Sequence, residues 1–417
     1  MSETESLRAT CAAAFQAGLN AANPAVAVRK ALGKADVPMP GPGGALYLAA
    51  IGKAAVGMAE EAMALLSPRR ALIITNRENV APVRGAEVMA AGHPVPDAQG
   101  ADAAQKLEAL AGALGVGDVF IVLVSGGASA MLPAPLAGMT LDDKITVNRL
   151  LLASGADITE TNIVRQALSR LKGGGLARLA APAQVAALIL SDVVGDDPRV
   201  VASGPTAPPI ADRAAARDVA HRLGVWPDLP ASVQSLLSAP DEGEAGPVLA
   251  DNRVIGGNAA SVAAMAAATP GARVHGSPLM GDVADAAQVV LSYFDGPGGV
   301  VLFGGETTVR LRGQGRGGRN QELALRVAML ASQQGRVFAF LSGGTDGRDG
   351  PTDAAGGLVD HGSIARIKAA GGDAAALLAN NDSNHALALS DDLWVTGATG
   401  TNVADLQVLA LGRWIKG

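Results

Sequence analysis

A run of apolar and β-branched residues, Val119-Phe120-Ile121-Val122-Leu123-Val124, stops abruptly at Ser125-Gly126-Gly127 and gives way to Ala128-Ser129-Ala130-Met131. Short and apolar at every position, the run predicts a strand covered on both faces, the pattern of a parallel sheet between helices. The two glycines let backbone N–H groups approach a ligand that a Cβ would hold off. The design recurs: residues 300–303 precede Gly304-Gly305-Glu306, residues 337–341 precede Ser342-Gly343-Gly344-Thr345-Asp346, and Val254-Ile255 precede Gly256-Gly257-Asn258. Paired glycines also make tight strand-to-helix turns that bind nothing. Four together predict anion-accepting turns at strand C-termini, where open α/β sheets take their ligands.

At 417 residues the chain is long enough for two or three domains. Aromatic residues make up only 3%, so Ala, Val, Leu and Gly must do the packing, which favours closely layered α/β structure. The net charge is −6 and the basic residues are scattered, which argues against a nucleic-acid or anionic-membrane surface. Cys11 is the single cysteine, so no internal disulfide and no structural zinc site is expected. MSETESLRAT lacks the basic-then-apolar pattern of a signal peptide. The uncharged stretch between Asp118 and Asp142 is broken by Gly126, Gly127, Pro133, Pro135 and Gly138, and reads as strand plus loop rather than a membrane span. A cytoplasmic protein is expected.

Residues 5–32 have helical spacing, and residues 45–51 read as a strand followed by Gly52-Lys53 and an Ala-rich helix over 54–66. A strand at 72–75, a rigid loop at 92–97 and a helix at 99–114 lead to the strand before Ser125. Helical pattern from 141 to 179 breaks near Gly155-Ala156-Asp157 and ends at Gly173-Gly174-Gly175. A buried strand at 185–190 then delivers Ser191-Asp192. This alternation predicts a doubly wound parallel sheet. Residues 239–247 have a linker's composition, which sets domains at 1–240 and 241–417. The second half has expected strands near Val254, Val274, Val300, Val337 and Leu393. Gly-Gly turns in both halves hint at a duplication, but only the turns match.

Lys53 opens a helix, where a cation opposes the macrodipole; a bound anion would supply the reason for it. The alternative is a solvated lysine. Three arginines, Arg312, Arg316 and Arg319, stand among glycines just before a helix, with Asn320 as the expected N-cap. Their forks suit carboxylate and phosphate oxygens, although a flexible basic loop has the same composition. Asp192 is the best-placed carboxylate for magnesium or for a hydroxyl proton, whereas Asp196 and Asp197 read equally as turn residues. Residues 345–353, including Thr345, Asp346 and Asp349, are dense in carboxylates yet fail as an EF-hand, because Arg348 occupies a ligand position. There is no GxxxxGK[ST] or GxSxG, the best candidate for a dinucleotide fingerprint, Gly52-Lys53-Ala54-Ala55-Val56-Gly57, lacks the GxGxxG spacing, and no histidine, His93 included, has a metal-ligand neighbour. The residues alone describe a two-domain α/β enzyme for a small anionic substrate, working by phosphoryl transfer or acid binding.

Seven stretches together resemble the glycerate 2-kinases that carry a C-terminal MOFRL domain. They are IGKAAVGMA from Ile51, AGHPVPD from Ala91, VLVSGGASAMLPAP from Val122, SGADITETNIVRQALSRLKGGGLA from Ser154, LSDVVGDDPRVVASGPT from Leu190, GGETTVRLRGQGRGGRNQE from Gly304 and LSGGTDGRDGPTDAAGG from Leu341. Similar sequences have also been labelled hydroxypyruvate reductase of tartrate utilisation. The resemblance implies an N-terminal Rossmann-like α/β/α domain, a smaller mixed α/β C-terminal domain, and an active site in the cleft between them. It places the family's catalytic lysine on Lys53 and its important arginine on Arg319, with Arg316 as neighbour. Gln166 departs from the basic residue frequent at its position.

The implied reaction transfers the γ-phosphoryl group of ATP, with Mg2+, to the 2-hydroxyl of D-glycerate. Lys53 would meet the transferring group, Arg319 the substrate carboxylate or phosphate, and Asp192 the magnesium or the hydroxyl. Ser125, Gly126, Gly127, Ser129, Arg316, Gly343, Gly344, Thr345 and Asp346 would bind substrate or nucleotide. Glycerate and a nucleotide are the expected partners, with further copies of the chain as an option. An NAD(P)H-dependent hydroxypyruvate reductase and a non-catalytic sugar-acid binding protein are the alternatives; the first needs a dinucleotide turn with an acidic residue about 20 residues later, and the turn at residues 52–57 does not have that spacing.

Overall fold

The computed structural model describes residues 1–34, 37–240 and 246–415. The chain divides into two units, Pro24–Ile255 on one hand and Met1–Asn23 with Gly256–Gly417 on the other.

In the first unit six strands, β1 (Leu46–Ile51), β2 (Arg70–Asn76), β3 (Glu87–Ala91), β4 (Val119–Ser125), β5 (Gln184–Leu190) and β6 (Asp251–Gly256), stand in the order β3-β2-β1-β4-β5-β6. The pairs β2–β3, β1–β2, β1–β4 and β4–β5 are parallel. Every residue of β4 is buried, as an apolar run with helices on both faces requires. One face receives the helix Ala98–Gly112, whose Ala103, Ala104 and Leu107 pack in one core with Phe120, Val122 and Val124. Small residues on that helix bring it close to the sheet, so few aromatic rings are needed.

The helical region after residue 140 breaks where expected. Thr140 and Asp157 each open a helix with a reciprocal capping box, to Asp143 and Glu160, and Gly155 between them has φ +75°. The helices Leu141–Ala153, Ile158–Ala167 and Arg213–Arg222 share a separate apolar cluster built on Val147, Leu151, Val164 and Val219.

The second unit holds β7 (Arg273–Val274), β8 (Leu279–Asp282), β9 (Gly299–Thr308), β10 (Arg336–Gly344), β11 (Gly356–Asp360), β12 (Leu393–Trp394) and β13 (Asp405–Trp414). Their order is β12-β11-β10-β13-β9-β7, with β8 also on β9. β13 runs antiparallel to both β10 and β9, whereas β7 and β8 lie parallel to β9, so this sheet is mixed. The central β13 is absent from the strands expected along the second half; its apolar run carries no flanking Gly-Gly signal. The helix Glu3–Ala21 buries Cys11, Ala14 and Phe15 against Leu341, Leu406 and Val408 of this sheet. The leading helix therefore belongs with the C-terminal unit rather than with the contiguous span 1–240. Of the linker expected at 239–247, residues 241–245 lie outside the described residues.

The paired glycines separate into two kinds. Ser125-Gly126-Gly127 is a turn at a strand C-terminus, with Gly127 at φ +83°. Gly304-Gly305 instead lies inside β9, and Gly343-Gly344 are the last two residues of β10, still paired in the sheet, so neither pair forms the turn expected of it. Their reason is close packing: a Cβ on Gly304 would fall 2.0 Å from Asn258 Oδ1, and one on Gly343 2.9 Å from the Phe15 ring. Gly257 begins the helix Asn258–Ala268 in extended conformation. Among the described residues no helix is long and apolar enough to cross a membrane.

Candidate active site

In a sheet ordered 3-2-1-4-5-6 the crevice opens between the first and fourth strands, where the direction of winding reverses. Here those strands end in register, with Ile51 opposite Val124, and they release Gly52-Lys53 and Ser125-Gly126-Gly127 side by side. The two turns are bonded together. The Lys53 N–H donates to the Gly126 carbonyl at 2.9 Å, the Ala54 N–H donates to Ser125 Oγ at 3.1 Å, and that hydroxyl donates to the Ile51 carbonyl at 3.3 Å. Gly52, at φ +121°, has no room for a side chain, since a Cβ would lie 2.3 Å from Ser125 Oγ. Ser125 is thus a buried buttress, and the N–H groups of Lys53 and Ala54 serve the protein rather than a bound anion. What the turn offers outward is the half-buried Lys53 residue itself.

β5 ends beside β4 and delivers Asp192 to the same edge. A Cβ on Gly126 would fall 2.0 Å from Asp192 Oδ2, so the carboxylate packs directly on the Gly126 backbone. Gly126→Ala forces either Asp192 or the turn to move, and a loss of about 10–100-fold in kcat/KM is expected from misplacement of this kind. Steady-state kinetics beside a thermal melt checks it; unchanged kinetics would separate the contact from function. His93 lies against Gly127, with ring atoms 3.1 Å from the Cβ position.

Beyond this edge lies a cavity of about 770 Å3, lined by His93, Gly127, Ser129, Asn162, Arg165, Asp192 and Ser203 together with apolar residues such as Ile145 and Leu152. Ser129 and Ser203 hydroxyls meet at 2.8 Å, and Ser203 donates to Asn162 Oδ1 at 2.6 Å. Ala202 and Ser203 both hold left-handed backbone, at φ +54° and +62°, a costly conformation of the kind found at functional sites. Gln166 explains its departure from a basic residue. Its amide donates to the carbonyls of Arg199 and Ser203 and accepts from the Ile210 N–H, fixing the strained loop from behind. Asp197 bonds the Arg199 backbone and side chain and is a turn residue.

Behind the cavity wall, Lys144 is buried and among the described residues its ammonium reaches only the Leu168 carbonyl, at 3.4 Å. Burial, aided by Arg165 and Arg170, pushes its pKa down to about 7. The folded value lies below the unfolded one, so between these values the unfolded chain holds a proton that the native state lacks, and stability rises with pH from about 7 upward. Lys144→Met is expected to flatten that rise and to stabilise the protein by about 1–3 kcal/mol below pH 7. Urea titrations between pH 6.5 and 9 measure both effects; an unchanged slope would mean that Lys144 stays charged.

In the other unit the Gly-rich loop is strapped rather than flexible. The N–H groups of Arg312 and Gly313 donate to Asn381 Oδ1, that of Gln314 to Asn380 Oδ1, and that of Arg316 to Asp382 Oδ1. Asn381 itself adopts φ +55° and donates to the Arg310 carbonyl and Glu322. The helix Arg319–Ala331 begins at Gly318, so Asn320 is inside it and is not the N-cap. Asp349 takes that position from another loop, accepting from the N–H groups of Asn320 at 3.1 Å and Gln321 at 2.8 Å. Burial pushes the Asp349 carboxyl up to about 6 against the pull of those donors. The helix start that suggested an anion site is therefore filled by the protein's own carboxylate.

Arg319 is committed as well. It grips Asp405 through Nε at 2.7 Å and Nη2 at 3.0 Å, and reaches Glu306 through Nη1 at 3.0 Å. Burial alone would depress the guanidinium, but Asp405 and Glu306 reverse this and hold it above the usual arginine range. Asp405 is fully buried and raised by that burial, with Arg319 opposing. Arg316 is exposed and donates to the Pro351 carbonyl at 3.1 Å. Gly344 and Thr345 spend their N–H groups on the carbonyls of Ala355 and Ala404, and the Thr345 hydroxyl also donates to Ala404, so this segment is scaffold. Asp346 accepts from the Arg348 N–H and lies near Asp405. Sequence reasoning missed Glu306, and also Asp405 and Asn381, whose partners Arg319 and Glu322 stand 86 and 59 positions away.

Residues 10–238 match a family described as a domain of unknown function, DUF4147, and residues 299–405 match the MOFRL family. Human glycerate kinase is 38% identical, with 88% of this chain and 84% of that protein covered. A protein of Agrobacterium vitis, provisionally named a hydroxypyruvate reductase, is 38% identical with 95% and 93% covered. The crystal structure of a glycerate kinase from Thermotoga maritima matches with a TM-score of 0.88 at 34% identity, covering 98% of this chain and 100% of that one.

Proposed function

We propose, because this chain belongs to the glycerate 2-kinase family with a C-terminal MOFRL region, that it transfers the γ-phosphoryl group of ATP to the 2-hydroxyl of D-glycerate, giving 2-phosphoglycerate and ADP. The observation that carries the reading is the sheet's reversal point, which gathers Lys53, the Gly126-Gly127 turn and Asp192 at one edge. Phosphoryl transfer asks little covalent chemistry of a protein; it needs positioning and opposed charge. Lys53 supplies the positive charge for the transferring group. Gly126 and Gly127 give close access to the backbone, and Ser129 offers a hydroxyl on the cavity wall.

Magnesium in such reactions is usually held by one or two carboxylates together with the phosphates, and it neutralises charge on them. Asp192 fits that use, and with the metal held elsewhere it fits equally as acceptor of the hydroxyl proton. Arg319 can meet an anionic substrate group only through Nη1, by exchange with Glu306, because its other face is fixed on Asp405. A hydride-transfer reading would need the helix after β1 to hold a dinucleotide pyrophosphate, and its first N–H groups are already bonded to Gly126 and Ser125.

One experiment decides between them: ADP release from Mg-ATP with D-glycerate, run beside NADH and NADPH oxidation with hydroxypyruvate. Phosphorus NMR of the product assigns the phosphorylated hydroxyl. ADP release with 2-phosphoglycerate is the expected outcome; oxidation of either reduced nucleotide without ADP release would replace the kinase reading.

A further inference from the structure

Three cations lie together behind and within the wall of the 770 Å3 cavity, and among the described residues none of them meets a carboxylate. Arg165, on the helix Ile158–Ala167, lines the cavity and uses only Nε, donating to Asn148 Oδ1 at 2.9 Å. Lys172 is buried and donates to the carbonyl of Ser129 at 2.8 Å, and Ser129 also lines the cavity. Lys144, described above, is the third. Buried cations are ordinarily paired, because removing a lone charge from water is expensive. This cluster repels itself as well: Lys172 is depressed first by burial and then by Lys144 and Arg165, and Arg165 by burial. Elsewhere in the chain, Arg8 and Arg366 converge on Asp360 and Asp392, and Arg319 on Asp405, each with its acid supplied by the fold. Here, among the described residues, no carboxylate bonds any of the three.

We propose that Arg165, supported by Lys172 through Ser129, is an oxyanion subsite of this cavity that takes the carboxylate of the acid substrate or a phosphate of the nucleotide. The terminal nitrogens of Arg165 are a fork shaped for two oxygens of one anion. Ser129, Ser203 and Asn162, already joined on the same wall, supply neutral donors beside it. The identity of the ligand rests on the kinase reading; the existence of the subsite does not.

The test uses the full chain as wild type, Arg165→Gln and Arg165→Lys, with circular dichroism to verify folding. Inorganic phosphate, D-glycerate and ADP are each titrated alone by calorimetry and thermal shift, and KM is measured for glycerate and ATP separately. Loss of one charged fork should weaken one ligand about 10–100-fold in Arg165→Gln, raising that substrate's KM and leaving the other near wild type. The ligand affected names the source of the oxyanion. Arg165→Lys, which keeps the charge but not the fork, should fall between the two, and it carries the test if the glutamine variant does not fold. Glycerate and ADP bound within twofold of wild type by the variants overturns the subsite and leaves the kinase reading standing. Wild type that binds phosphate through Arg165 but neither glycerate nor ADP keeps the subsite and removes the kinase reading. No binding of any of the three to wild type removes both.

Discussion

Lys53→Ala should lose at least about 10²–10³-fold in kcat, the usual cost of deleting one preorganised charge or donor from a transition state, while the protein stays folded. The second half of that expectation comes from the backbone. The turn is held by the Lys53 N–H on Gly126, the Ala54 N–H on Ser125 and the Gly52 N–H on the Ile74 carbonyl, none of which needs the lysine side chain. A lysine at a helix start also opposes the macrodipole, and its removal relieves that opposition. Lys53→Arg restores charge but substitutes a planar fork for a compact ammonium, and only partial recovery is expected. ADP release at saturating substrate, with a thermal melt of each variant, measures both halves. Turnover within twofold of wild type would take Lys53 out of the chemistry.

Arg319→Ala is expected to cost about 3–5 kcal/mol, the scale for removing one partner of a buried ion pair. Asp405 is fully buried at the head of β13, the strand that joins β10 to β9, and Arg319 holds it with two nitrogens. Without the guanidinium, the carboxylate must protonate or draw water into the sheet. Adding Asp405→Asn to Arg319→Ala should recover a large part of the loss, because the stranded charge is then gone. Urea unfolding of the wild type, both single variants and the double variant closes the cycle. A loss below about 1 kcal/mol for Arg319→Ala would mean that the pair does not hold the sheet. The stability measurement also matters for reading kinetics, since lost activity in an Arg319 variant need not report on contact with substrate.

The first unit was largely legible because its signals are local. An apolar run names β4, the glycines after it name the turn, and alternation of strand and helix names the parallel sheet. Lys53, Gly126 and Asp192 each follow such a strand, so their meeting at one edge follows from the strand order. The second unit was less legible for the same reason. Gly343-Gly344 has the same letters as Gly126-Gly127 but forms the last two residues of a strand paired on both sides, where Gly343 admits Phe15 from the leading helix. No local pattern distinguishes a glycine that makes room for a ligand from one that makes room for a ring. Asp405, Asp349 and Asn381 act on the Arg319 region across long sequence separations, and antiparallel pairing leaves no motif that announces it. Arg165 was hidden by abundance: one arginine in a polar helix reads as solvated until its missing acid is noticed.

Placement of the leading helix in the second unit has a consequence during synthesis. Residues 24–255 emerge as one uninterrupted span and can close their sheet while the rest of the chain is still being made, as domains commonly do. Phe15 and its neighbours must wait for β10 and β13, so an apolar helix face stays uncovered through most of translation. A clone trimmed by two dozen residues at its start should therefore unravel the distant half of the polypeptide and spare the adjacent one.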